Sequence, residues 1–209
     1  MNNPRFSRLI SMDLYSEIDS RKPYLFLIAT EGEKTEKYFF DNCIERNEGY
    51  KLRTIPGQYG LSSPKQVLEK LKSSILEDGA DKYNQYWMVI DVDKHENLDS
   101  TLEEAERLHI KCAVSNPRFE VWLALYSHES LSDTFLKKLE RDSESIVRKW
   151  FPHFSKVSLD KTFFQEHEHA INRAVQLDKK TDKKIPTAPG TRMYRLVREI
   201  LLRKEEGKK

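Results

Sequence analysis

Charge of one sign is the first thing this chain lacks. Across 209 residues, 36 Lys and Arg face 34 Asp and Glu, a formal net charge of +2. A phosphate-binding surface would therefore need local clustering of bases, because overall basicity cannot supply it. Cysteine is nearly absent too: Cys43 and Cys112 are the whole supply. Two lone cysteines beside apolar residues make neither a zinc site nor a disulfide framework, and are expected as reduced, buried thiols. No stretch approaches the roughly 18 to 20 apolar residues of a membrane helix, and residues 1–21 hold no apolar core of signal-peptide length. The expectation is a soluble, cytoplasmic protein with no membrane partner. Glycine and proline are sparse at 7 and 8, with 38% hydrophobic and 33% charged residues. That composition belongs to a helix-rich globular chain, not to a disordered one. Repeats and low-complexity linkers are missing as well.

What is present is an alternation of short apolar runs and amphipathic stretches. Tyr24 to Ala29 follows Pro23 and is apolar throughout, too short for a buried helix and suited to a strand covered on both faces. A helix is expected from about Glu33 to Arg46, with Phe39, Phe40, Cys43 and Ile44 inward. Tyr50 to Ile55 makes a second strand, ended by Pro56-Gly57. Ser62-Ser63-Pro64 caps the next helix, which carries Val67, Leu68, Leu71 and Ile75 and closes at Gly79. Tyr86 to Ile90 is the third strand and ends in Asp91-Val92-Asp93. A helix near Thr101 to Leu108 leads to a fourth strand at Ile110 to Val114, then to Asn116-Pro117 as cap and first residue of another helix. Beyond Ser130 the pattern is helical: Ser132 to Glu140, Ser143 to Phe151, Lys161 to Leu177, and Arg192 to Arg203 with a clean apolar stripe.

Strands alternating with helices predict an α/β fold with a mostly parallel sheet flanked by helices. We expect a core over residues 22–128 and a C-terminal helical layer over 129–203, packed as a single unit. In open sheets of this kind the functional edge lies at the carboxyl ends of the strands. Glu31, the Asp91–Asp93 pair, and Asn116 with Glu120 all follow strands, so they are expected to meet at one rim.

In an extended segment i and i+2 point the same way, so Asp91 and Asp93 can face one cation. Their hard oxygens suit Mg²⁺ or Mn²⁺. Solvated aspartates capping a turn are the ordinary alternative. Glu31 can bind metal or exchange a proton, and the run Glu31-Gly32-Glu33-Lys34-Thr35-Glu36 also has the look of acids at a helix start. Gly-Glu-Lys-Thr is no phosphate-binding P-loop: the leading glycine is missing, and Glu31 and Glu33 would repel phosphate. Arg118 and Glu120 are candidates for phosphate and for metal, whereas Phe119 and Trp122 fit a core. Among the histidines, His95 is placed to carry a proton near a bound cation, with a plain surface position as the alternative. His167 and His169 face different ways on a helix and share no ion. Arg192, Arg195 and Arg198 fall along one flank of the last helix, a possible phosphate-tracking stripe beside ordinary solvated charge. No serine or cysteine sits in a nucleophile elbow.

The ordered set Glu31-Gly32-x-x-Thr35-Glu36, Trp87-x-Val89-Ile90-Asp91-x-Asp93 and Ser115-Asn116-Pro117-x-Phe119-Glu120-x-Trp122 resembles the RloB-like family. Pro186-Thr187 before an amphipathic helix fits as well, and the resemblance runs from Pro23 to about Leu202. That family is similar to the topoisomerase–primase (TOPRIM) fold and to the overcoming-lysogenization-defect nucleases. The resemblance implies a TOPRIM/Rossmann-like core in which Glu31, Asp91 and Asp93 cooperate on Mg²⁺. It also implies further carboxylates at Glu36 and Glu120. The spacing from Glu31 to Glu36 is one residue longer than in the nuclease motif. Proximity of such genes to restriction and phage-defence systems implies a defence setting and a partner protein from such a system.

Two functions are therefore in view. One is a metal-dependent nuclease acting on DNA or RNA, with Glu31, Asp91 and Asp93 as catalytic ligands, Lys34 or Arg118 neutralising the phosphate, and Arg192, Arg195 and Arg198 as further contacts. The other is a non-catalytic partner or nucleotide-sensing subunit of a restriction or defence complex, using the same acidic rim.

Overall fold

The structure is a computed structural model that describes residues 23–45, 48–58, 63–79, 82–92, 95, 97–151, 154–155 and 164–206. Among the described residues five strands form one sheet: β1 (Tyr24–Thr30), β2 (Tyr50–Ile55), β3 (Gln85–Asp91), β4 (Lys111–Asn116) and the two-residue β5 (Gly190–Thr191). The spatial order is β2-β1-β3-β4-β5. All pairings are parallel except β4 with β5. Among the same residues seven α-helices flank the sheet: α1 (Thr35–Tyr38), α2 (Pro64–Asp78), α3 (Leu98–Arg107), α4 (Glu120–Ala124), α5 (Asp133–Trp150), α6 (His167–Leu177) and α7 (Met193–Glu206). The fold is a Rossmann-like α/β sandwich.

Apolar side chains on both faces of the strands explain the layering. Phe26, Ile28, Trp87, Val89 and Ala113 look into a core shared with α1, α4, α5, α6 and α7. Leu27, Ala29, Met88, Ile90 and Val114 look the other way, into a second core under α2 and α3. The helices after Ser130 thus share the core of the sheet's first face. Burying each of the larger of these side chains contributes roughly 1.5–3 kcal/mol, which fixes strand register on both sides at once.

Several local details differ from the sequence expectation. The helix expected from Glu33 begins at Thr35 and passes at Phe39 into a π turn ending at Cys43. The wider turn lets Phe39, Phe40 and Cys43 all reach the core, and it leaves Glu33 and Lys34 exposed ahead of the helix. Asn116 is no helix cap. It ends β4 opposite Gly190, its side-chain amide donates to the Pro186 carbonyl (2.8 Å), and α4 starts only at Glu120. The two helices expected on either side of Arg141 are present within α5, divided at Asp142, whose backbone is non-helical (φ −153°, ψ 63°) and whose carboxylate accepts from the Ser145 N–H at the start of the second. By contrast, Ser63 with Gln66 forms the full capping box before α2, and Gly79 ends that helix at φ 91°. The N-terminal part of the helix expected from Lys161, and Arg46, lie outside the described residues.

No helix among the described residues is long and apolar enough to cross a membrane.

Candidate metal centre at the strand ends

β1 connects to β2 on one side of the sheet, and the chain then returns to place β3 on β1's other flank. The carboxyl ends of β1 and β3 are therefore the topological switch point, where open α/β sheets leave a crevice. Glu31 and Asp91 stand at those two ends. Pairing continues one residue beyond β1, because the Glu31 N–H donates to the Val89 carbonyl (3.0 Å). That register sets Glu31 beside Asp91, whose backbone N–H donates to Glu31 Oε2 (3.1 Å). The other carboxylate oxygen, Oε1, lies 2.9 Å from His95 Nε2. Sixty residues apart in sequence, the two acids meet.

The turn after Glu31 is held from three directions. The Thr30 hydroxyl donates to the Gly32 carbonyl (2.8 Å), the Gly57 N–H donates to the same oxygen (3.1 Å), and the Gly32 N–H donates to Glu36 Oε1 (3.0 Å). Gly57 is required by close approach, because a methyl group on it would overlap the Glu31 carbonyl; one on Gly32 would meet the Glu36 carboxyl, the far end of a flexible side chain.

These side chains line a cleft of about 510 Å³ whose walls include Glu31, Lys34, Glu36, Asp91, Arg118 and Glu120. Glu36 is 5% exposed; burial, with Glu120 and Glu31 nearby, pushes its carboxyl up to about 7. Glu120 is 8% exposed, and among the described residues its carboxylate meets neither a hydrogen-bond donor nor a base. Carboxylate oxygens are hard donors of the kind Mg²⁺ and Mn²⁺ take. Among the described residues, no three of the cleft's carboxylates bring ligand atoms within 4.8 Å of one another. Lys34 and Arg118 stand exposed at the cleft mouth. Glu144, from α5, also reaches the wall and is paired with Arg148 (2.6 Å).

Of the residues singled out in the sequence, Glu31, Lys34, Glu36, Asp91, Arg118 and Glu120 come together in this cleft. Asp93 lies outside the described residues. The arginine stripe does not come to the cleft. Arg192 is 3% exposed; its guanidinium is engaged by Asp178 (3.1 and 3.2 Å) and by the Lys184 and Lys180 carbonyls. It is a packing residue inside the fold, which corrects the expectation of a surface contact. Arg195 reaches the same Asp178 (3.3 Å), and Arg198 is exposed over the Tyr194 ring. Both line a different groove of about 670 Å³, beside Trp87, Lys111 and Cys112 toward the amino ends of β3 and β4. His95 and Gly57 are the site residues that sequence reasoning underweighted. His95 was legible only as proximity to Asp91, and Gly57 only as a strand terminator.

The sequence profile of the family described as RloB-like protein matches residues 26–200. No curated protein and no solved structure matches the chain.

Proposed function

The chain belongs to the RloB-like family, and we propose that it is a metal-dependent nuclease of the TOPRIM type, cleaving DNA or RNA phosphodiester bonds in defence against phage. The observation that carries this reading is the joining of the β1 and β3 ends, with Glu31 Oε2 accepting from the Asp91 N–H at 3.1 Å. Two carboxylates from distant segments share a rim at the switch point, and two more, Glu36 and Glu120, are buried beside them.

In this reading Glu31, Asp91 and Asp93 hold Mg²⁺ or Mn²⁺, with Glu36 and Glu120 as further oxygen donors. Such an ion, when bound, stabilises charge on a phosphoryl oxygen and lowers the pKa of its water. The chain's own groups do the rest. Lys34 and Arg118 offer positive charge at the cleft mouth, where a phosphate would enter. His95 orients the Glu31 carboxylate through Nε2 and is within reach to move a proton there. Walls from Phe119 and the α1 turn limit water on the inner side.

The alternative, a non-catalytic or nucleotide-sensing subunit of a defence complex, gains from one observation: Arg192 is buried, so the basic stripe is shorter than a nucleic-acid tracker would need. A digestion panel separates the two. Purified protein with Mg²⁺ or Mn²⁺ is offered plasmid, single-stranded DNA, ribosomal RNA and tRNA, with Asp91→Asn as control. Cleavage lost in Asp91→Asn, with an unchanged thermal melt, supports the nuclease. Equal cleavage by the variant rejects it. Calorimetry that detects no Mg²⁺ or Mn²⁺ binding at the rim favours the subunit.

A further inference from the structure

A second cluster of metal-ligating side chains lies away from the acidic cleft and uses none of its residues. His128 follows the turn after α4, Glu166 immediately precedes α6, and His169 is in the first turn of α6. One potential ligand atom from each lies within 4.8 Å of the other two. His128 Nε2 and Glu166 Oε2 are 3.4 Å apart. Two ligands each about 2.0–2.1 Å from a tetrahedral zinc ion lie roughly 3.3–3.4 Å from one another, so this pair is already at the spacing of a coordination edge. The imidazole rings of His128 and His169 lie side by side, centroids 4.6 Å apart.

A second, independent feature concerns tautomer. His169 Nε2 is 3.1 Å from the Ser127 carbonyl oxygen, which can only accept, so Nε2 carries the proton and Nδ1 holds the free lone pair. A histidine whose other nitrogen is anchored on a backbone carbonyl is the arrangement that orients metal-binding imidazoles. The platform is built before any ion arrives. The loop from Tyr126 to Glu129 is tied to α6 at three points: Tyr126 Oη to His167 Nδ1 (2.7 Å), the His169–Ser127 contact, and Arg173 donating to the Glu129 carbonyl (2.7 Å). His128 and Glu166 are themselves about 60% exposed, free to swing by the ångström or so that closure requires.

We propose that His128, Glu166 and His169 form a Zn²⁺ site that fastens the loop after α4 to the start of α6, with water completing the coordination. Two imidazoles and one carboxylate suit a borderline ion such as Zn²⁺ and not Mg²⁺, which prefers oxygen throughout. The site is thus distinguishable from the acidic cleft by metal choice alone.

The test uses the full chain, stripped of metal and titrated with Zn²⁺ against a chromophoric chelator in excess Mg²⁺. One Zn²⁺ per chain is expected, raising the melting temperature, with Co²⁺ substitution giving the intense visible bands of four-coordinate cobalt. His128→Ala and Glu166→Gln should each weaken binding by more than about tenfold, while Asp91→Asn leaves it unchanged. Both substituted side chains are exposed, so the metal-free melts should overlay the parent's. If one variant does not fold, the other decides. Undiminished Zn²⁺ binding by a folded variant overturns the proposal, as does loss of binding in Asp91→Asn, which would assign the ion to the acidic cleft.

Discussion

Glu120 opens α4 against the cleft wall and is 8% exposed. Glu120→Gln keeps the shape and removes the charge, so it is expected to leave stability in chelator within about 0.5 kcal/mol and to bind Mg²⁺ or Mn²⁺ more weakly. Denaturant titration and calorimetry on the same preparation check both halves. A variant that is less stable in chelator and binds the ion as before would make Glu120 a structural residue. Asp91 donates its backbone N–H to Glu31, so Asp91→Asn keeps that contact.

At the scale of elements, the rim depends on a prop that comes from β2. Gly57 follows that strand and donates to the Gly32 carbonyl, pressing so close that any side chain would meet the Glu31 carbonyl. Gly57→Ala must push the β1–α1 turn, at a cost of about 1–3 kcal/mol. Because it shifts Glu31 without touching a carboxylate, it should also weaken Mg²⁺ binding by about tenfold. Unchanged affinity together with unchanged stability would show that the turn yields freely. The last helix makes a parallel point. Arg192→Ala takes from buried Asp178 its most buried guanidinium, leaving Arg195 (3.3 Å) and the Tyr194 hydroxyl (2.9 Å), and should cost about 1–3 kcal/mol, whereas Arg198→Ala, at the surface, should stay within about 0.5 kcal/mol. If α7 touches nucleic acid, Arg198→Ala also lowers the slope of log affinity against log salt by about 1; an unaltered slope removes α7 from the interface.

These elements also show what could be seen from the sequence. β1 and β3 were legible because apolar side chains cover both their faces, leaving runs such as Phe26–Ala29 that no surface helix would carry, whereas β2 exposes Lys51 and Arg53 and was marked by Pro56-Gly57 at its end. The Glu31–Asp91 meeting followed from both residues standing at the carboxyl ends of parallel strands. Contacts made by single side chains across the fold were not legible. Arg192 looks like its neighbours in sequence, and only Asp178, fourteen residues earlier on another helix end, makes it a core residue. Asn116 carried a good cap signature, but pairing with Gly190 kept it in the sheet. The meeting of His128 with Glu166 and His169 depends on a loop tied to α6, which no local pattern encodes.

For the whole molecule, two titratable groups, one buried and one partly exposed, set opposing responses to pH. Glu36 has its carboxyl raised from 4.5 to about 7 by burial. Between those values the folded state holds a proton that the unfolded chain has released, so this group's contribution is full below 4.5 and is lost as pH rises to about 7. His167 is lowered from 6.5 to about 4, first by burial and then by the Lys204 charge. In that window the unfolded chain takes up a proton that the fold refuses, so stability is lost as pH falls from 6.5 toward 4. Each slope is about 1.4 kcal/mol per pH unit at most, less for His167, which is partly exposed. Between about 4.5 and 6.5 they offset each other, and the metal-free protein should show little net slope from these two sites. Single substitutions expose the hidden terms. In calorimetric melts, Glu36→Gln should gain stability relative to the parent as pH rises across that window. His167→Gln should lose stability relative to the parent over the same range, and the double variant should track it. A single variant running parallel to the parent from pH 4.5 to 6.5 would show that its group titrates normally in the fold. Saturating Mg²⁺ adds a discriminating condition: if Glu36 lies beside the ion, the parent's loss above pH 6.5 shrinks, whereas the His167 slope, set across the core from the cleft, stays as it was.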